Sequence, residues 1–180
     1  MPLILGIVAS GNYPRVTNSY ESIATVLVGS GGSSSISFSS IPSTFTHLQI
    51  RAISKNSSSI NSNSVLSLNG NAIGYRHFLF GNGSSTGAGA AANGEGVISA
   101  TSSVSNVFGA FVMDILDYTN TNKNKTVRVL QGVDENGSGV MAFNSFLYST
   151  NTNAITSLTL TSSGTSFVQH SQFALYGIKG

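Results

Sequence analysis

Period-two alternation in short runs is the feature that most limits what this chain can become. Thr46, Leu48, Ile50 and Ala52 fall on one side of an extended segment, with Phe45, His47, Gln49 and Arg51 on the other. Val127, Val129 and Gln131 alternate with Thr126, Arg128 and Leu130, and Phe173, Leu175 and Gly177 alternate with Ala174, Tyr176 and Ile178. Successive side chains of a strand point to opposite faces, so this spacing buries one side and leaves the other outside. Further runs rich in β-branched and aromatic residues lie at 22–28, 35–39, 65–68, 72–80, 97–100, 140–148, 154–160 and 166–170. Turn formers separate them, at 29–34, 56–63, Asn69-Gly70-Asn71, Asn136-Gly137 and Ser162-Ser163-Gly164. Asn-Gly supplies the positive φ angles of tight hairpins, which join neighbouring antiparallel strands. Short strands at this spacing, without helical patterns between them, predict an all-β chain: an antiparallel β-sandwich, jelly-roll-like, with an extended N-terminal arm. The arm is assigned to residues 1–19 and the sandwich to residues 20–180.

Three segments need separate argument. Val107, Phe108, Phe111, Val112, Ile115 and Leu116 also fit a helical stripe, but Gly109 and the β-branched and aromatic content favour a strand buried on both faces. The glycine- and alanine-rich stretch 81–96 reads as a long irregular loop, and loops of that length usually make contacts. Residues 118–125 read as a second, polar loop of Asn, Thr and Lys. Asn82, Asn93, Asn122 and Lys123 are the contact candidates on these two loops.

Composition then removes function classes. Charged residues make up 8% of the chain, with 8 basic and 6 acidic side chains, while Ser, Thr, Asn and Gly account for nearly half of it. A binder that works by releasing counterions from nucleic acid needs clustered Lys and Arg, which are missing here, so no nucleic-acid partner is expected. There is no Cys, which rules out disulfides and thiolate metal sites. Hydrophobic residues at 40% argue against a disordered chain. The apolar opening, Met1-Pro2-Leu3-Ile4-Leu5-Gly6-Ile7-Val8, is shorter than the roughly 20 residues a membrane span takes, and it lacks the basic start of a secretory signal. Neither a membrane nor a leader is therefore expected. Leu3, Ile4, Leu5, Ile7, Val8 and Tyr13 are instead assigned as the side chains through which the arm binds a partner.

Catalytic constellations fare poorly. Gly83-Ser84-Ser85-Thr86-Gly87 matches the G-x-S-x-G nucleophile elbow, with Asp114 or Asp117 and then His170 following in hydrolase order. This composition alone yields about 0.4 such matches by chance, and the elbow needs a strand-to-helix turn that nothing here predicts. Residues 81–96 lack the endings of a phosphate-binding loop. His47, His77 and His170 have no metal-ligand spacing, and Asp114 and Asp117 would point to opposite faces of a strand. Asp134-Glu135-Asn136 offers only the oxygen ligands of a weak calcium site. Tyr13, Tyr20, Tyr75, Tyr118, Tyr148 and Tyr176 could stack on sugars, but places in the sandwich core or at an interface suit them better, and there is no Trp, the ring most useful for such platforms. No enzyme activity, no metal and no cofactor is expected.

A resemblance adds to this. Ile4-Leu5-Gly6-Ile7 through Tyr20-Glu21-Ser22-Ile23-Ala24 is followed by Ser37-Phe38-Ser39-Ser40-Ile41-Pro42-Ser43-Thr44-Phe45-Thr46-His47-Leu48-Gln49-Ile50-Arg51. Asp114-Ile115-Leu116-Asp117-Tyr118 comes next, and Phe173-Ala174-Leu175-Tyr176-Gly177-Ile178-Lys179 closes the chain. With these segments it resembles, over nearly its full length, a family of small virion structural proteins of tailed bacteriophages, many from cyanophages and other aquatic phages. The resemblance implies a non-enzymatic β-sandwich located in the phage particle and made in the host bacterial cytoplasm. The leading expectation is a capsid-decorating (cement) protein, a homotrimer that clamps adjacent major capsid subunits or another virion protein. The alternative is a tail or fibre component whose sandwich binds host surface glycans through loops such as 81–96 and 118–125.

Overall fold

Among the described residues the alternating runs become thirteen strands. The computed structural model describes residues 19–58, 62–82, 86–91, 95–99, 104–135 and 139–179. The strands are β1 (Tyr20–Leu27), β2 (Ser35–Phe38), β3 (His47–Ser54), β4 (Ser62–Leu68), β5 (Asn71–Ala72), β6 (Tyr75–Gly81) and β7 (Thr86–Ala91). They continue with β8 (Glu95–Ser99), β9 (Gly109–Leu116), β10 (Lys125–Asp134), β11 (Gly139–Tyr148), β12 (Leu158–Ser162) and β13 (Gln172–Ile178). All pair antiparallel, in two sheets that form a β-sandwich. The larger has eight strands in the order β1-β13-β3-β9-β10-β11-β6-β7; the smaller has five, in the order β2-β12-β4-β5 with β8 also on β4.

Alternation places the core between the sheets. Leu48, Ile50 and Ala52 of β3, Phe111, Met113 and Ile115 of β9, and Val127 and Val129 of β10 are buried on the inner face of the large sheet. Ile36 and Phe38, Leu66 and Leu68, and Leu158 and Leu160 meet them from the small sheet. Phe167 packs edge-on against Phe173 at a centroid distance of 4.9 Å. Burial of this apolar surface is the main force holding the two layers together.

Turn chemistry acts where expected at the β4–β5 hairpin. Asn69 and Gly70 both have positive φ, 49° and 77°, as a tight hairpin needs. Asn69 also ties the hairpin to the segment before β12: its Oδ1 accepts from the backbone N–H of Thr156 at 2.9 Å and of Ser157 at 3.1 Å, and its Nδ2 donates to Ala154 O at 2.8 Å.

Several expectations change. Residues 81–96 are not an irregular loop: β7 fills 86–91 and β8 starts at Glu95. Glycine weakens an isolated strand. Here Gly87 stands opposite Phe80 and Gly89 opposite Phe78, and the two rings lie over the glycines, so that a Cβ on Gly89 would sit 2.8 Å from Phe78. Strand β9 is a strand as argued, but it is buried on one face only, with Ala110 and Val112 exposed on the other. The run 72–80 is split between β5 and β6, and 166–170 contributes only isolated bridges from Phe167 to Ser33 and Asn56. The arm candidates Leu3, Ile4, Leu5, Ile7, Val8 and Tyr13 lie outside the described residues, and β1 begins at Tyr20.

Candidate interaction surface

The outer faces of the two sheets differ in chemistry. On the small sheet, Ser35 and Ser37 of β2, Thr159 and Thr161 of β12 and Ser67 of β4 point outward, and Ser37 and Thr159 share a hydrogen bond of 2.9 Å. Such a surface is neutral and well hydrated. The large sheet presents something else.

Register converts its outer face into rows. One row runs Val112, Leu130, Phe143, Leu79, Ala88 across β9, β10, β11, β6 and β7. The row beside it runs Ile53, Ala110, Gly132, Met141, Gly81. Leu130 is 57% exposed, Leu79 58%, Met141 64% and Phe143 43%. Scattered exposed apolar residues are ordinary, but a contiguous band of this kind marks an interaction surface. Between β10, β11, β6 and β7 the band dips into a shallow hollow of about 540 Å³, lined by Leu79, Ala88, Leu130, Met141 and Phe143 among others.

The next row changes abruptly to Tyr176, Gln49, Asp114, Arg128, Ser145, His77. Its polar groups satisfy one another. Arg51 Nε donates to Gln49 Oε1 at 2.7 Å, Gln49 Nε2 donates to Asp114 Oδ1 at 2.8 Å, and Arg128 stands 3.6 Å from Asp114. The Arg51 guanidinium also sits 5.3 Å from the Tyr20 ring and 5.4 Å from the Tyr176 ring, a cation–π arrangement. The face is therefore banded: the apolar rows of β9, β10, β11, β6 and β7 adjoin one polar row, and Arg51 of β3, in register with Val112, bounds the apolar row at its β3 end.

Comparison of the chain with protein-family models, with curated proteins and with solved structures finds no match.

The residues singled out as loop contacts do not come together. Asn82 follows Gly81, which is level with Met141 at one end of the large sheet, whereas Asn122 and Lys123 lie between Leu116 and Lys125 at the other end. Asn93 lies outside the described residues. Asn122 closes a local turn, its N–H donating to Asn120 Oδ1 at 2.8 Å, and Lys123 is paired to the carboxylate of Asp117. The hydrolase-order residues are dispersed likewise. His170 N–H donates to Val28 O beside the start of β13, and Asp117 N–H donates to His47 Nδ1, with His47 opposite Ile178 at the end of β13. Ser84 and Ser85 lie outside the described residues. Among the described residues no group of three or more His, Asp or Glu side chains is placed to hold a metal ion.

The loop end holds one arrangement that sequence reasoning missed. Lys125 was assigned to a polar loop, yet it opens β10 and is fully buried. Its Nζ donates to Asn120 O, to Lys123 O at 3.1 Å and to Thr152 O at 2.8 Å. Burial, reinforced by the Lys123 ammonium, holds its pKa below the usual lysine value. Tyr118 beside it is also fully buried and donates its hydroxyl to Pro42 O; burial pushes its pKa up.

Asp117 gives this end a pH dependence. The hydrogen bond from Lys123 is the main cause holding its pKa below the ordinary 3.8, and the nearby charges of Lys123, His47 and Lys125 act in the same direction. A carboxylate with a depressed folded-state pKa adds stability that is complete above the unfolded value and is lost as pH falls through the folded one. Thermal unfolding followed from pH 6 down to about pH 2 should show the wild type above Asp117→Asn at the upper end and the two converging below the ordinary aspartate range. A constant offset at every pH would show that Asp117 does not act through its charge.

Proposed function

We propose that this chain is a bacteriophage virion structural protein, a capsid-decorating (cement) protein that stabilises the head by binding adjacent major capsid subunits as a homotrimer. The observation that carries the assembly part is the apolar band through Leu130, Phe143 and Leu79 on the outer face of the large sheet, in contrast to the small sheet, where Ser35, Ser37, Thr159, Thr161 and Ser67 share the outer face with Val65 and Ala72. A part that works by burying surface on its neighbours needs one such face and few charges to desolvate. The phage setting rests on the resemblance of the segments quoted above.

A second reading, a tail or fibre component that binds host glycans, is favoured by the polar half of the same face. Arg51, near the rings of Tyr20 and Tyr176, and the Asp114 carboxylate, both held by the buried Gln49 amide, offer flat rings and fixed hydrogen-bonding groups of the kind sugars use. Quantitative mass spectrometry of virions separates the two: a copy number matching the head lattice supports decoration, and one matching tail symmetry supports the second reading.

Leu130→Lys combined with Phe143→Ser tests the face itself. Exposed substitutions of this sort change stability by about 0.5 kcal/mol each, so the fold should survive. Attachment to heads that lack the protein should be lost. Undiminished attachment would remove the apolar band from the account.

A further inference from the structure

The two edges of the large sheet are guarded very differently. Strand β1 carries a bulge between Ser22 and Ala24, and Glu21 on it is paired with Lys179 at 2.9 Å. Bulges and charges are devices by which natural sheets stop a foreign strand from adding. Strand β7 has neither. Its sequence is Thr-Gly-Ala-Gly-Ala-Ala, its register to β6 runs unbroken from Gly81↔Thr86 to Arg76↔Ala91, and no described residue pairs with its other edge.

What stands beside that edge specifies what could fill it. On the outer side lie Ala88 and Leu79 of the apolar band. On the inner side the rings of Phe78 and Phe80 reach across Gly89 and Gly87 towards the edge, and Phe80 is 39% exposed. A strand added to β7 would therefore meet apolar groups on both of its faces. An alternating apolar–polar strand does not suit such a place; a continuous apolar run does. This chain contains one outside the described residues, at 3–9, where Leu3, Ile4, Leu5, Ile7 and Val8 follow one another with only Gly6 between them.

Reach decides whose run it is. The arm leads into β1, at the opposite edge of the eight-stranded sheet from β7. Crossing seven strand intervals spans roughly 34 Å, and residues 10–19 extend to at most about 36 Å. A chain filling its own edge would have to stretch that connection taut across the sheet. A neighbouring copy has no such constraint. We infer that residues 3–9 of one copy add to β7 of a second copy as a further strand of its large sheet. Repeated head to tail, this contact closes into a ring or continues as a filament. The inference deepens the assembly reading by naming the partner as a second copy. It makes no use of the head or the tail, so it stands or falls on the isolated protein.

The test uses the full chain and two variants. Ile4→Lys with Ile7→Lys spoils the donor run, and Ala88→Lys with Ala90→Lys guards the acceptor edge at exposed positions. Size-exclusion chromatography with light scattering should show the wild type as an oligomer and each variant alone as a monomer, with circular dichroism melts confirming that both are folded. An equimolar mixture of the two variants should give a heterodimer, since each supplies the half that the other lacks. A monomeric wild type would overturn the inference. So would a donor variant that still self-associates, because β7 would then pair without the arm, or two folded variants that fail to complement each other.

Discussion

Gly177→Ala is expected to cost about 2–3 kcal/mol of stability, which for a domain of this size is a fall of about 5–10 °C in the unfolding midpoint. Gly177 lies on the inner side of β13, opposite Leu48 of β3 and Glu21 of β1. Phe45, just before β3, lays its ring directly over it, so an added Cβ would run into the ring atoms Cγ, Cδ1 and Cδ2. The ring has little room to retreat: it is 7% exposed and belongs to the core, with the Lys179 ammonium 5.8 Å from its centroid. An interior packed to crystal-like density answers an extra methyl group with strain rather than with flow. The mechanism is checked by a double-mutant cycle. In a Phe45→Leu background the alanine should cost far less than in the wild type, because neighbours that share a space are not additive. Equal costs in both backgrounds would show that the clash is not the cause.

Lys125→Met should be comparably damaging, at about 2–4 kcal/mol. Methionine matches the lysine stem but donates nothing. Three backbone carbonyls, of Asn120, Lys123 and Thr152, converge on one buried ammonium and use all three of its donors. Removing it leaves buried acceptors without a partner, and that is where the cost arises. Lys125→Arg should not restore stability, because a planar fork cannot meet three acceptors arranged around a point. The loss should also be local in hydrogen exchange. Amides of 117–124 and 149–157 should exchange faster, and those of β7, far along the sheet, should not. A Lys125→Met protein that melts with the wild type would show that these carbonyls find other partners.

These two sites also show what the sequence could and could not display. Alternation was enough to place Leu48, Ile50 and Ala52 inside and Arg51 outside, and to do the same for Val127 and Arg128, because strand geometry acts residue by residue. The Asn69-Gly70 turn was legible for the same reason, since its positive φ angles are a local demand. Lys125 was not legible. A lysine beside Asn and Thr looks solvated until a distant loop brings Thr152 against it. Strand β7 was missed because glycine reads as a breaker, and only the facing Phe78 and Phe80 make Gly87 and Gly89 useful.

The candidate surface was half legible. The apolar content of 107–116 predicts burial on both faces, which holds when a second layer covers the sheet. In this fold Val112 instead joins Leu130 and Phe143 in an exposed row, a relation fixed by pairing among β9, β10 and β11 that no single segment contains. Low charge likewise takes on a more specific meaning. Asp114 and Arg128 share the polar row, Arg51 stands level with Val112 at the β3 end of the apolar row and turns to Gln49, and Asp134 lies at the far end of β10, so the stretch through Leu130, Phe143 and Leu79 can be covered without desolvating a charge in that row.

The proposed virion role is open to one decisive observation, a near-atomic reconstruction of the phage particle. The account predicts density for this chain on the head, with Leu79, Leu130 and Phe143 buried against a neighbouring virion subunit. A particle that lacks the chain, or one in which that face of the large sheet is open to solvent, would contradict it.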